Sequence, residues 1–244
     1  MVKQDISGSN LLDALNPEDR LLLGQVMEEV EYRAGHILYE PGDDVRHAYF
    51  PRRFAVTSFH VIMPDGSAVE TAIVGREGAV GGIVSHGRLP AFARSCVMHH
   101  GPFYKISLAE LERVKQQSIH LRYLLARYAD CLLAQVFQSV ACNAVHTIEQ
   151  RAAKWLLIAM DRTGRNEVSM TQDQLGSLLG VGRTYVSRVI RRLKESGTVS
   201  VRRGGVIVHN REGLSAKSCD CEKLVEAHFR TVLHNVYPEK ANGR

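Results

Sequence analysis

The stretch TQDQLGSLLGVGRTYVSRVIRRLKESG, Thr171 to Gly197, divides into two helical runs about a tight turn. Thr171-Gln172-Asp173-Gln174 caps the first run, whose Leu175, Leu178 and Leu179 share one face and point to a core. Gly180-Val181-Gly182 supplies the turn, and a second helix starts at Arg183. On that second helix Val186, Val189, Ile190 and Leu193 recur at helical spacing and form a buried side. The opposite side carries Arg183, Thr184, Ser187, Arg188, Arg191 and Arg192. An apolar side fixes the angle of such a helix, and hydrogen-bonding side chains near its N-terminus can reach base edges in a DNA major groove. Arginine at that end suits bidentate contact with guanine, and the later arginines suit phosphates.

Working outward, Val199 to Val208 predicts a hairpin with a Gly204-Gly205 turn, placing Arg202 and Arg203 at the tip of a wing where phosphate contact is plausible. Upstream, Thr147-Ile148-Glu149-Gln150 is a capping box, Thr followed three residues later by Gln, opening a helix from Ile148 to Asp161 with Ala152, Trp155, Leu156 and Ala159 as its stripe. Asn143 to His146 reads as a hinge. Before it, Gln117 to Val145 is almost free of helix breakers, with Leu121, Leu124, Leu125, Tyr128, Cys131, Leu132, Gln135, Val136, Ser139 and Val140 at helical spacing. A helix of that span is about 43 Å long, more than a small domain can bury. It is a surface helix packed on its own domain or, the favoured reading, a seam pairing two copies of the chain.

From Val30 to Leu108 short apolar runs such as His36-Ile37-Leu38-Tyr39, Ala48-Tyr49-Phe50 and Val69 to Val74 alternate with Gly and Pro turns. They predict a small antiparallel barrel or roll. Asn16-Pro17-Glu18-Asp19 starts a short helix that runs to about Met27. The fold class is therefore α+β: residues 1–116 an N-terminal helix and roll, 117–145 a dimerisation helix, and 146–244 a winged helix-turn-helix with a C-terminal helical extension.

The 244 residues, 45% of them apolar, suffice for two domains with cores of their own. The net charge of +5 is unevenly placed: His146 to Glu212 holds twelve Lys/Arg against six Asp/Glu. A single basic segment of this kind favours a polyanion as partner. No secretory or membrane-spanning run appears, so the expected location is the cytoplasm, with no membrane partner. Five cysteines, Cys96, Cys131, Cys142, Cys219 and Cys221, are an odd, scattered set and read as reduced thiols. Cys219-Asp220-Cys221 is short for a zinc or cluster site and has no second pair beside it. Both cysteines read as bystanders on a C-terminal helix that carries Leu224, Val225, Phe229, Val232, Leu233 and Val236 and packs on the winged segment. His86, His99, His100 and His120 lack helical ligand spacing, so no metal and no cofactor are assigned.

These features together resemble the Crp/Fnr family of bacterial transcription regulators over nearly the whole chain, most closely from Thr171 to Gly197. The resemblance implies a cyclic-nucleotide-binding-type β-roll, a long dimerisation helix and a winged helix that binds a two-fold operator in double-stranded DNA. Gly75-Arg76-Glu77-Gly78-Ala79-Val80-Gly81-Gly82 looks like the family's roll motif before its ligand pocket. Members that bind cyclic nucleotide have a Gly-Glu-Leu step for the ribose and a later Arg-Ser or Arg-Thr step for the phosphate. Here the first reads Gly81-Gly82-Ile83, and the second falls near Leu89-Pro90-Ala91, with Arg88 and Arg94 close by. Each lost charged partner removes of order 1.5–3 kcal/mol, so control by cyclic AMP is not expected. Oxygen-sensing members hold an iron-sulfur centre on N-terminal cysteines, and residues 1–95 contain none. The family often has a glutamate just after the arginine that aligns with Arg183; Thr184 stands there, which implies a different base preference.

The expectation is a homodimeric regulator on a palindromic operator, contacting RNA polymerase if it activates. An effector-binding module acting through a protein partner is the alternative. Paired carboxylates, a nucleophile elbow and a phosphate-binding loop are missing from the sequence, so an enzyme is not expected.

Overall fold

A computed structural model describes residues 6–85 and 87–240; of the histidines weighed as ligands, His86 lies outside the described residues. Two short helices, α1 (Asn10–Asp13) and α2 (Pro17–Gly24), precede seven strands: β1 (Glu28–Tyr32), β2 (Ile37–Tyr39), β3 (His47–Pro51), β4 (Val56–Ile62), β5 (Ala68–Val74), β6 (Arg94–His99) and β7 (Gly101–Ser107). Then follow α3 (Leu108–Gln117), α4 (Ile119–Val145), α5 (Ile148–Thr163), β8 (Glu167–Val168), α6 (Gln172–Leu179), α7 (Arg183–Glu195), β9 (Val199–Arg202), β10 (Gly205–Val208), α8 (Arg211–Ser215) and α9 (Cys221–Val232).

The strands form the expected roll from two antiparallel sheets, β1-β7-β3 and β2-β6-β4-β5. Tyr49, Val74, Val80, Val97 and Phe103 fill the space between them. The other face of the larger sheet is apolar too. Val56, Ile73 and Met98 leave it to join Trp155, Leu156, Met170 and Leu175 in one core with the winged segment. The Ser177 hydroxyl of α6 donates to the Ala68 carbonyl of β5 at 2.6 Å across the same boundary.

Ser118 interrupts the helical run expected from Gln117. Its hydroxyl accepts from the Leu121 amide at 3.0 Å, so α3 stops and α4 is capped afresh. Leu121, Leu125, Tyr128 and Cys131 bury against the chain's own roll and N-terminal helices rather than a second copy. Tyr128 donates to the Ala79 carbonyl at 3.0 Å and Gln135 to the Ile73 carbonyl at 2.9 Å. A different face stays open, with Leu133 49%, Phe137 65% and Val140 65% exposed. At i, i+4 and i+7 these three lie in a row.

Helix α9 also departs from expectation. It packs on α4 and the N-terminal helices, because its Val225 and Phe229 face the Tyr128 ring and join Ile6, Leu11 and Leu12. Asn10 Nδ2 donates to the Val236 carbonyl at 2.9 Å and Arg127 to the Val232 carbonyl at 3.3 Å, fixing the end of the extension there. Leu224, placed on the same stripe by spacing, is exposed.

The wing turn shifts by one residue. Arg202 pairs with Gly205, so Arg203 and Gly204 make the turn, with Gly204 at φ 78°. Gly205 is needed for a different reason: a Cβ there would lie 2.9 Å from the Val168 carbonyl, where β8 adds a third strand. Arg202 therefore sits at the strand end and Arg203 at the tip.

Under the winged segment, β4, β5 and β6 enclose a polar group. Ser58 Oγ lies 2.7 Å from His60 Nε2, Cys96 Sγ 3.3 Å from the same nitrogen, and Glu70 Oε2 3.7 Å from it. Burial holds Glu70 well above the ordinary value of 4.5, only partly opposed by the Ser58 hydroxyl and the Arg162 charge. Burial also lowers His60, with Arg94 adding to the effect, so the group is held neutral. A carboxyl raised on folding is fully stabilising below its unfolded value and loses that contribution as pH rises toward its folded value. We expect Glu70→Gln to match the parent at pH 4.5 and to exceed it in urea midpoint at pH 8. Equal midpoints at both values would show that Glu70 ionises freely in the fold.

Candidate nucleic-acid interface

Thr171 caps α6 through a complete capping box with Gln174, and Gly180 ends it in the left-handed region at φ 65°. A Cβ on Gly176 would stand 2.8 Å from the Val181 carbonyl, so glycine permits the close approach of α6 to the turn. Helix α7 then starts from Gly182 with no side chain capping its first amides. Val186, Val189, Ile190 and Leu193 are buried. Each such side chain contributes roughly 1.5–3 kcal/mol when fully buried, so this face seats the helix.

The structure places the predicted residues on the opposite side. Arg183, Thr184, Arg188, Arg191 and Arg192 are exposed, and Ser187 is half-buried. Ser187 donates to Gln172 Oε1 at 2.6 Å, tying α7 to α6, and to the Arg183 carbonyl at 3.0 Å. Arg183 lies 3.6 Å from Asp173, and the Arg188 guanidinium sits 5.1 Å from the centre of the Tyr185 ring. Arg192 pairs with Glu149 and Arg202 with Glu167. These exposed pairs are weakly held and screened by salt, so a phosphate can replace the carboxylate. Among the described residues no ion pair engages Arg188, Arg191 or Arg203. Spacing did not single out Tyr185, whose exposed ring borders the arginines.

The basic excess read from the sequence is partly internal. Arg151, Lys154 and Arg162, three of the twelve cations, are buried. Arg151 donates to the Leu179 carbonyl at 2.9 Å, and Lys154 Nζ to Cys142 Sγ at 3.4 Å. Arg162 on α5 meets Glu77 of the roll at 2.7 Å, with both side chains 2% exposed, and Glu222 of α9 at 3.4 Å. Arg76 adds a hydrogen bond to the Arg162 carbonyl at 3.0 Å. Gly75 and Gly78 are required here, since a Cβ on Gly75 would lie 2.7 Å from Glu77 Oε2 and one on Gly78 would strike the Tyr128 ring. The motif from Gly75 to Gly82 thus holds roll, long helix and winged segment together.

Elsewhere in the roll lie the positions at which the resemblance implies cyclic-nucleotide anchors. A Cβ on Gly82 would lie 2.7 Å from the side-chain ends of Leu89 and Leu108, which would have to shift to admit a larger residue. Arg94 is held by Glu40 at 2.8 Å, and Arg88 points to solvent. The neighbouring concavity is lined by Leu38, Asp43, Asp44, Arg46 and His47, so charges of both signs border it.

Folding also assembles a group that sequence spacing left apart. Cys142, in the last turn of α4, and His146 meet Cys219, just ahead of α9, and Cys221, its first residue. Cys219-x-Cys221 has a partner pair after all, supplied by Cys142 and His146 four residues on. That spacing was the available signal.

Residues 150–217 match the Crp-like helix-turn-helix domain. No curated protein matches the chain in sequence. Among solved structures, FixK2 from Bradyrhizobium japonicum superposes with a TM-score of 0.66 at 18% identity, covering 80% of this chain and 98% of its own. A CRP-family transcriptional regulator from Thermus thermophilus gives 0.67 at 15% identity, over 78% and 96%. The c-di-GMP-responsive regulator CLP from Xanthomonas campestris gives 0.64 at 17% identity, over 80% and 100%. The chain thus carries a Crp-like helix-turn-helix over residues 150–217, within the fold that these solved regulators share. No helix among the described residues is long and apolar enough to cross a membrane.

Removing one partner of a buried ion pair leaves an uncompensated charge and costs about 3–5 kcal/mol. Glu77→Ala is expected to lower unfolding free energy by that amount in urea titrations, whereas Glu77→Leu with Arg162→Met restores most of it. Equal losses in the single and double variants would mean that the pair is not the source of the effect.

Proposed function

We propose that this chain is a sequence-specific transcription regulator that binds double-stranded DNA as a homodimer through α7. The observation that carries the reading is the division of α7: one face is locked in the core, and Arg183, Thr184, Ser187, Arg188, Arg191 and Arg192 lie opposite it. Arg183, Thr184 and Arg188 near the helix start are the base-reading set. Arg191, Arg192, Arg202 and Arg203 take phosphates, the last two from the wing. The open row of Leu133, Phe137 and Val140 supports pairing of two α4 helices. That pairing would set two α7 helices about one helical turn apart, roughly 34 Å, on a palindromic operator. As an activator the dimer would also contact RNA polymerase.

Gly82-Ile83 in place of a Glu-Leu step, and the pairing of Arg94 with Glu40, support operation without cyclic AMP. Titration calorimetry should show no saturable heat with cyclic AMP at micromolar concentration; a saturable isotherm would contradict the reading. For DNA, Arg183→Ala and Arg188→Ala should each weaken operator binding by about 1–3 kcal/mol and relax specificity at one base. Arg203→Ala should weaken all sequences alike and reduce the salt slope by about 1. Unchanged affinity in both α7 variants would remove α7 from the interface. In sedimentation runs Phe137→Glu should convert a dimer to a monomer, and a persisting dimer would exclude the α4 seam.

A further inference from the structure

Cys142, Cys219 and Cys221 form a buried cluster separate from the apolar cores, and His146 closes it from the hinge between α4 and α5. The four donor atoms all lie within 4.8 Å of one another. Cys142 Sγ is 3.6 Å from Cys219 Sγ, and Cys221 Sγ is 3.5 Å from His146 Nδ1. A tetrahedral ion with metal–sulfur bonds of about 2.3 Å and metal–nitrogen bonds of about 2.0–2.1 Å holds its donors about 3.5–3.8 Å apart. Both of these edges match those spacings. An iron-sulfur cluster would hold the donors bound to its different irons further apart than the 4.8 Å that encloses all four here.

Lys154 is buried, donates to Cys142 Sγ at 3.4 Å, and has its ammonium 4.8 Å from the centre of the Trp155 ring. Neutral thiols would give that ammonium no charged partner at the cluster itself; the carboxylates of Asp161, Asp220, Glu222 and Glu226 line the adjoining concavity with it. Three thiolates and a neutral imidazole around a divalent ion carry one net negative charge, which Lys154 balances.

We propose that Cys142, His146, Cys219 and Cys221 bind one zinc ion, or a divalent ion of the same borderline-soft class, in a closed tetrahedral Cys3His site. Three metal–sulfur bonds form as three thiol protons leave to solvent, and the imidazole coordinates through Nδ1 with its proton on Nε2. No electron is transferred. The ion would join three elements, the end of α4, the hinge residue His146 and the start of α9, and so hold the C-terminal extension to the joint between the long helix and the winged segment. This inference does not depend on the DNA-binding reading.

The test uses the full-length protein purified under reducing conditions. Metal analysis should find about one zinc per chain, and cobalt(II) added to the metal-free protein should give thiolate charge-transfer and tetrahedral d–d bands. Cys219→Ser with Cys221→Ser should lower the stoichiometry below about a tenth, while Cys96→Ser and Cys131→Ser leave it unchanged. His146→Cys keeps four donors and should retain the ion with an altered cobalt spectrum, which guards against a double variant that merely fails to fold. Three results would overturn the proposal: a reduced protein that takes up neither zinc nor cobalt, full stoichiometry in the double variant, or a Cys142–Cys219 disulfide in place of the metal.

Discussion

Arg162 is a full charge placed in the interior, and the rest of the architecture is arranged around satisfying it. Removing an ion from water costs several kcal/mol, which only close partners offset. Those partners come from two other parts of the chain: Glu77 from the roll at 2.7 Å and Glu222 from α9 at 3.4 Å. One guanidinium therefore requires the winged segment, the roll and the C-terminal extension to be docked at once. The Tyr237 hydroxyl completes the arrangement by pairing with Glu222.

This lock gives the roll a route to α7. Helix α5 carries Arg162 and shares its core with Val189, Ile190 and Leu193 of α7, and Val56, Ile73 and Met98 of the roll enter the same core. A change at the roll that moved Glu77 would act on α5 and, through shared packing, on the angle of α7. Coupling of this kind needs two discrete arrangements with different contacts, and a buried ion pair is well suited to distinguish them.

The winged segment was the most legible part of the sequence. Capping boxes at Thr147 and Thr171 and the apolar rows of α5 to α7 are local signals, and they formed as written. The roll was legible as texture, through strands such as β2, β3 and β5. What could not be read locally was partnership across distance. The row Leu121, Leu125, Tyr128 and Cys131 fits a seam or a self-packed face equally well, and only the fold assigns it to the chain's own core. Likewise Gly75 to Gly82 reads as a pocket motif, whereas its glutamate reaches an arginine 85 residues away. The charge count treated Arg151, Lys154 and Arg162 as surface, and the cysteines read as scattered because their partners lie 77 residues apart. The one-residue shift of the wing turn came from β8, a two-residue strand too short to leave a pattern.

The most direct measurement is selection of bound duplexes from a random-sequence pool by the purified protein, at one fixed salt concentration and without cyclic nucleotide. A two-fold symmetric consensus with half-sites about one helical turn apart is the predicted result. Recovery of no consensus, or of one only when cyclic AMP is added, would contradict the account of α7 and the roll.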